Sequence, residues 1–176
     1  MISYLGTTKN LWLAFGGQTE GHIQGFCNAY WVSQKHHHSI SRYLFHYGIG
    51  VVSWSSKKQN IVSLSSTEAD YIAQTHTAKE AIWLRSFVSE VTGGDAKPLT
   101  ISCDNQGAIA LAKDNKFHAR TKHIDLQYHF ICEAVEDGRI NVKYVPTDDN
   151  VSDIFTKALP RPKFQQMVEL LRLRRL

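Results

Sequence analysis

Three carboxylates, Glu68, Asp104 and Asp153, stand at the ends of predicted elements that lie far apart in the chain. Acids from separate elements that converge on one point can hold two divalent ions about 3.5–4 Å apart. Such a pair activates a water and stabilises the leaving oxygen in phosphodiester hydrolysis. Magnesium keeps several of its waters, so three or four acids suffice. Each residue also has a plainer reading. Glu68 and Asp153 fall in predicted first turns of helices, where a carboxylate caps the backbone and complements the dipole. Asp104 fits a turn former ahead of a helix. Spacing alone favours these plainer readings.

The elements that must position the acids can be read from pattern. Ile23–Trp31, His38–Tyr47 and Gly50–Ser56 read as strands, with Gly48 and Gly50 supplying a turn. Ser65-Ser66-Thr67-Glu68 matches a capping box. Ile72, Ala73, Ile82, Trp83, Phe87 and Val88 then recur at helical intervals until Gly93-Gly94 ends the helix. Leu99, Ile101 and Cys103 alternate as a short buried strand, with Asp104 directly after it. A short helix is predicted over 106–113. Ile124, Tyr128, Ile131 and Val135 mark one face of another helix, closed by Asp137-Gly138. Ile140, Val142 and Tyr144 form a second alternating strand. Asn150 is placed to cap a helix over 151–159, which Pro160 and Pro162 break, and 164–176 reads as a last amphipathic helix. Strands first, then alternating helices and strands, predicts an α/β mixed sheet with helices on its faces.

A chain of 176 residues, 43% hydrophobic and 20% charged, is long and apolar enough for one folded domain and too apolar for disorder. No apolar run is long enough to span a bilayer, and residues 1–15 lack the pattern of a signal peptide, so an intracellular place, cytoplasmic or nuclear, is expected. Cys27, Cys103 and Cys132 are odd in number and widely spaced, which fits free thiols in a reducing compartment. The net charge of +4 points weakly to nucleic acid, the plain alternative being a solvated basic surface. The three histidines at 36–38 would point in different directions on a strand or loop and make a poor metal cage.

Longer motifs carry a resemblance. Ser53-Trp54-Ser55-Ser56-Lys57-Lys58-Gln59 and Val62-Ser63-Leu64-Ser65-Ser66-Thr67-Glu68-Ala69-Asp70-Tyr71 resemble the ribonuclease H domain that ends the Pol polyprotein of copia-type LTR retrotransposons. Cys103-Asp104-Asn105-Gln106 with Ala108-Ile109 is similar to that family's next motif. So are His118-Ala119-Arg120-Thr121-Lys122-His123-Ile124-Asp125 and Asp153-Ile154-Phe155-Thr156-Lys157-Ala158-Leu159 to the following two. Order and spacing agree from about Gly25 to Phe164. The resemblance implies a five-stranded mixed sheet with helices on both faces, a ribonuclease H-like domain over 21–160 and a remnant of the reverse transcriptase connection over 1–20, which leaves 161–176 as the C-terminal amphipathic basic helix read from its pattern. It also implies cleavage of RNA in RNA–DNA hybrids with Mg2+ or Mn2+ held by an Asp-Glu-Asp-Asp set. Matched residue by residue, Glu68, Asp104 and Asp153 are the second, third and fourth acids and the expected metal ligands.

The first acid belongs to an Asp-Ala-Asp-Trp stretch in that family. Here the stretch reads Asn28-Ala29-Tyr30-Trp31. An amide is neutral and offers one oxygen, with an NH2 in place of the second carboxylate oxygen. Metal binding should weaken, and the reaction should be impaired or lost. Arg42, where the family usually has glycine, is expected to alter the hybrid-facing surface. Lys57, Lys58, Gln59, Asn105, Gln106, Arg120 and Lys122 lie in motifs that could line the hybrid groove, the plain reading of each lysine being a solvated residue. Three readings follow: an impaired ribonuclease H, a host-captured non-catalytic module that binds nucleic acid or a protein partner, and a C-terminal helix (Phe164, Met167, Val168, Leu171) that docks to a partner or packs on its own domain.

Overall fold

The computed structural model describes residues 6, 8–14, 22–31, 38–94, 97–113, 125–155 and 159–175, with the backbone alone at 125–129. Its centre is a five-stranded mixed sheet. Strand β1 (Leu11–Trp12) stands apart from it. The sheet is built from β2 (Ile23–Tyr30), β3 (Ile40–Tyr47), β4 (Gly50–Lys58), β5 (Leu99–Cys103) and β6 (Ile140–Tyr144), in the order β4-β3-β2-β5-β6. The first three form an antiparallel meander, and β5 and β6 run parallel to β2. Gly48, at a φ of 61°, makes the tight turn between β3 and β4 possible. Gly25 pairs with Phe45, and a methyl group there would come within 2.5 Å of the Phe45 ring, so the close strand approach demands glycine.

Two cores flank the sheet. On one face, helix α1 (Ser66–Thr92), α2 (Gln106–Lys113) and α3 (Asp125–Glu136) bury Phe45, Tyr71, Ile101, Ile131 and Ile140. On the other, a 3₁₀ helix (Val151–Phe155) and α4 (Arg161–Leu170) bury Leu44, Val51, Val151, Met167 and Leu171. Alternation along the strands divides the two: Cys27 and Phe45 face the first core, Phe26 and Leu44 the second.

Helix α1 starts where the capping pattern placed it. Ser65 Oγ accepts the Glu68 N–H at 3.1 Å, and Gly93 closes the helix in the left-handed conformation. The end of the chain departs from expectation. The segment expected to be helical over 151–159 forms a 3₁₀ helix that stops at Phe155, with 156–158 outside the described residues. The last helix begins at Arg161, at the start of the expected C-terminal segment and three residues before the 164 read from its apolar pattern, and it ends earlier than either reading. Pro162 sits in its first turn, where a missing N–H costs nothing, and it stops at Leu170. Arg174–Arg175 (β7) then pairs with Leu11–Trp12. Met167, Val168 and Leu171 are buried in the domain itself, so that face of α4 packs on its own sheet. No helix among the described residues is long and apolar enough to cross a membrane. All three cysteines are buried thiols that form no disulfide.

Candidate active site

The site forms where two parallel strands part. β2 and β5 pair only from Gln24–Phe26 to Thr100–Ser102. Beyond that point Asn28 lies on β2, and Asp104 follows the last residue of β5. In open α/β sheets such carboxyl ends, at the point where strand order reverses, are where ligands bind. The gap is bridged by Asp70 of α1. One of its oxygens accepts the Ala29 N–H at 2.8 Å, and the other accepts Asn105 Nδ2 at 2.8 Å. Burial of this carboxyl pushes its pKa up to about 7. The nearby charge of Asp104 pushes the same way, against the hydrogen bonds from Asn105 and Ala29.

On the opposite side of the sheet, Asn28 Nδ2 donates to Asp153 Oδ1 at 2.9 Å. Both residues are 8% exposed. The 3₁₀ helix that carries Asp153 is pinned to β2 by Asn150, whose Nδ2 donates to the Cys27 carbonyl at 2.9 Å and whose Oδ1 accepts from the Ser152 N–H and hydroxyl. Arg42, the register partner of Asn28 on β3, is 2% exposed. Its guanidinium lies 5.6 Å from the centre of the Tyr30 ring. Burial lowers its pKa to about 10, while attraction to Asp153 and Tyr30 opposes the fall. The expectation that Arg42 reshapes the outer, hybrid-facing surface is therefore corrected: its side chain is turned inward, toward Asp153. Asn28, Tyr30 and Arg42, positions at which the sequence departs from its resemblance, share one face of β2 and β3, with Asn28 bonded to Asp153 and Tyr30 against the Arg42 guanidinium.

Not all expected residues converge. Glu68 is placed as a cap, its Oε2 accepting the Leu64 N–H at 2.7 Å. The carboxylate that α1 brings to the parting strands is Asp70, two residues on. It lies among residues that the helix buries, Ala69 and Tyr71 to Thr75. Gln59, expected in the groove, is 1% exposed and structural. Its amide donates to Ser41 Oγ and to the Ala69 carbonyl, both at 2.9 Å, and its oxygen accepts Ser63 Oγ at 2.7 Å. Asn105 holds Asp70 and also caps α2 through the Ala108 N–H. Gln106, Lys57 and Lys58 are exposed. Arg120 and Lys122 lie outside the described residues. A signal missed in the sequence is a cleft of about 270 Å³ in which Lys57 is joined by Ser41, Tyr43, Ser55, His76 and Lys79. Burial lowers the His76 pKa, as do the Lys79 and Lys57 charges.

Divalent metal needs carboxylate oxygens left open to it. Among the described residues, no group of three or more His, Cys, Asp or Glu side chains stands close enough to hold an ion. Asp153 is engaged by an amide donor and faces a buried guanidinium. Asp70 has both oxygens in hydrogen bonds, one from the Ala29 N–H and one from Asn105 Nδ2. As placed, this donor set does not fit a pair of divalent cations.

No family model matches the chain. It is 42% identical over 171 residues, 97% of its length, to the retrovirus-related Pol polyprotein from transposon TNT 1-94 of Nicotiana tabacum. It spans 13% of that polyprotein's length and smaller shares of two similar transposon polyproteins of Arabidopsis thaliana. Among solved structures it is similar to the N-terminal RNase H domain of rv2228c from Mycobacterium tuberculosis, with a TM-score of 0.56 and 11% identity over 85% of this chain and 98% of that one. It is also similar to LC11-RNase H1 in complex with RNA/DNA hybrid, with a TM-score of 0.52 and 10% identity over 73% of this chain and 88% of that one. The fold is ribonuclease H-like, and the chain is homologous to part of the Pol polyproteins of plant transposons.

Proposed function

We propose that this homologue of plant-transposon Pol polyproteins, built on the ribonuclease H-like fold, binds RNA–DNA hybrid and does not cut it at an enzyme's rate. One observation carries the reading: the Asn28 amide donates to Asp153 at 2.9 Å, at the end of β2 where the resemblance calls for a carboxylate. A carboxylate there would bring charge and two acceptors. The amide brings neither, and it uses its donor on the acid opposite. Asp70 and Asp104 remain at the parting strands as the other acids of the ancestral two-metal site, with Asp70 in the place expected for Glu68.

Binding asks less of the site than cutting does. A hybrid is held through phosphates and 2′-hydroxyls rather than through base sequence. The cleft lined by Lys57, Lys79, His76 and three hydroxyl side chains offers positive charge and donors to one backbone phosphate. Ser41 of that cleft is the register partner of Ala29, one residue from Asn28, so a strand engaged there would run past the candidate site. Lys58 and Gln106 are exposed contacts for the same backbone.

The test is a fluorescence titration of the protein with labelled hybrid at several salt concentrations, followed by gel analysis of the RNA strand in Mg2+ or Mn2+. The reading expects salt-sensitive binding with the RNA left whole. RNA cut at a rate that Asp104→Asn abolishes would overturn the non-cutting half, and absence of binding at low salt would overturn the rest.

A further inference from the structure

Resting on that reading of the site, we propose that the chain carries its own cation there: the Arg42 guanidinium, seconded by the Asn28 amide, neutralises Asp153 in the position a divalent ion would need, so that neither folding nor nucleic-acid binding requires metal. Asp153 is buried in the first turn of a 3₁₀ helix. A buried carboxylate without a counter-charge is strongly destabilising. In a metal-dependent site that counter-charge arrives with the ion. Here it is covalently part of β3.

Three placements support this. Arg42 and Asn28 are paired directly across β3 and β2, so both side chains leave the sheet on the face that the 3₁₀ helix covers. The charge of Asp153 acts on Arg42, and the Asn28 donor fixes one oxygen of the same carboxylate. Tyr30, two residues along β2 and so on the same face, lays its ring against the guanidinium, holding a nearly inaccessible cation in place. A divalent ion approaching Asp153 would have to lie beside this fixed positive charge, with little water between them to screen the repulsion.

Restoring an acid at position 28 is therefore not enough to recover a metal site. In Asn28→Asp the guanidinium would face two carboxylates instead of one and would compete with the ion for both. Metal binding should return only when the acid is restored and the guanidinium is removed together.

The experiment uses the full chain and Mn2+ as the probe. Free Mn2+ is counted by electron paramagnetic resonance, and melting is followed with and without Mn2+, because an ion that binds only the folded state raises the melting temperature. The proteins are the unmodified chain, Asn28→Asp, Asn28→Asp with Arg42→Gln, and Asn28→Asp with Arg42→Lys. The Lys variant keeps the charge and controls for loss of the arginine's packing. The proposal expects the Gln double variant to bind Mn2+ about tenfold or more tightly than the other three and to be the one whose melting temperature rises with Mn2+. If the Gln variant does not fold, Arg42→Met takes its place, keeping the length of the side chain without its charge. Equal Mn2+ binding by Asn28→Asp alone and by the double variant overturns the proposal, as does a folded double variant that still ignores Mn2+. Hybrid affinity of the unmodified chain should be unchanged when Mg2+ is replaced by chelator at matched ionic strength, and a marked fall would also overturn it. Failure of the functional reading is a separate result: the unmodified chain would cut hybrid.

Discussion

Asp70→Asn should make the protein more stable, by an amount that depends on pH. In the folded chain the Asp70 carboxyl keeps its proton up to about pH 7, and in the unfolded chain it ionises at its ordinary value of 3.8. Roughly three decades of proton affinity separate the states, and each is worth about 1.4 kcal/mol, so the ionised side chain costs the fold about 4 kcal/mol. The sign follows from proton counting. Between pH 4 and 7 the folded state holds a proton that the unfolded state has lost, so raising the pH favours unfolding. Asparagine escapes that penalty. It loses about 1 kcal/mol through the hydrogen bond from Asn105, because its own NH2 would face that donor. His46 acts in the opposite sense. Burial first, and the Arg172 charge second, lower its pKa to about 4, so its contribution grows as pH rises from 4 to its ordinary 6.5. In the unmodified chain these two slopes oppose each other below pH 6.5. In the difference between the two proteins His46 cancels. Urea unfolding of both proteins from about pH 4 to pH 8 should give a stability difference that favours the Asn variant increasingly up to pH 7, then levels near 3 kcal/mol. A difference that does not change with pH would refute the placement of Asp70 as a buried acid at the parting strands.

Other outcomes are expected of single changes. Gly25→Ala forces its new methyl group against the Phe45 ring and should cost about 1–3 kcal/mol in urea unfolding, with the secondary structure seen by circular dichroism retained. Gln59→Leu strips partners from Ser41, Ser63 and the Ala69 carbonyl and should cost about 1–3 kcal/mol, while hybrid affinity per folded molecule stays unchanged, because Gln59 is too buried to touch nucleic acid. Lys57→Ala and Lys79→Ala should each weaken hybrid binding evenly across sequences and lower the salt dependence by about one phosphate contact. An unchanged salt slope in both would remove the cleft from the nucleic-acid surface.

Most of the architecture was legible because the sequence marks its boundaries chemically. Ser65 and Gly93 bracket α1, and Asp137-Gly138 follows α3, whose end Gly138 marks with a φ of 64°. Alternation in Leu99–Cys103 and Ile140–Tyr144 gave both parallel strands. The chain's last elements were harder. Pro162 reads as a breaker in sequence, yet proline is at home in a first turn, and the helix stops where Arg172 turns left-handed (φ 54°), ahead of the pairing of Arg174–Arg175 with Leu11–Trp12. The acids illustrate a different limit. Glu68 and Asp70 sit two residues apart on α1 and so point in different directions, and the capping pattern drew attention to the half-buried Glu68 rather than the buried Asp70. Asp70 lies in a stretch of α1 that is buried on every side, from Ala69 to Thr75, where periodicity carries no information about direction. Arg42 could be noticed as unusual, but its inward turn depends on Asn28, Tyr30 and Asp153, which meet only after the chain folds.

The central claim is that an amide and a guanidinium stand where this site would need an acid and a metal. Incubation of the unmodified protein with end-labelled RNA–DNA hybrid in Mn2+, with protein in excess and Asp104→Asn alongside, tests it most directly. The account predicts that the RNA is bound and remains full-length, equally for both proteins. RNA fragments that form with the unmodified protein and vanish with Asp104→Asn would contradict it.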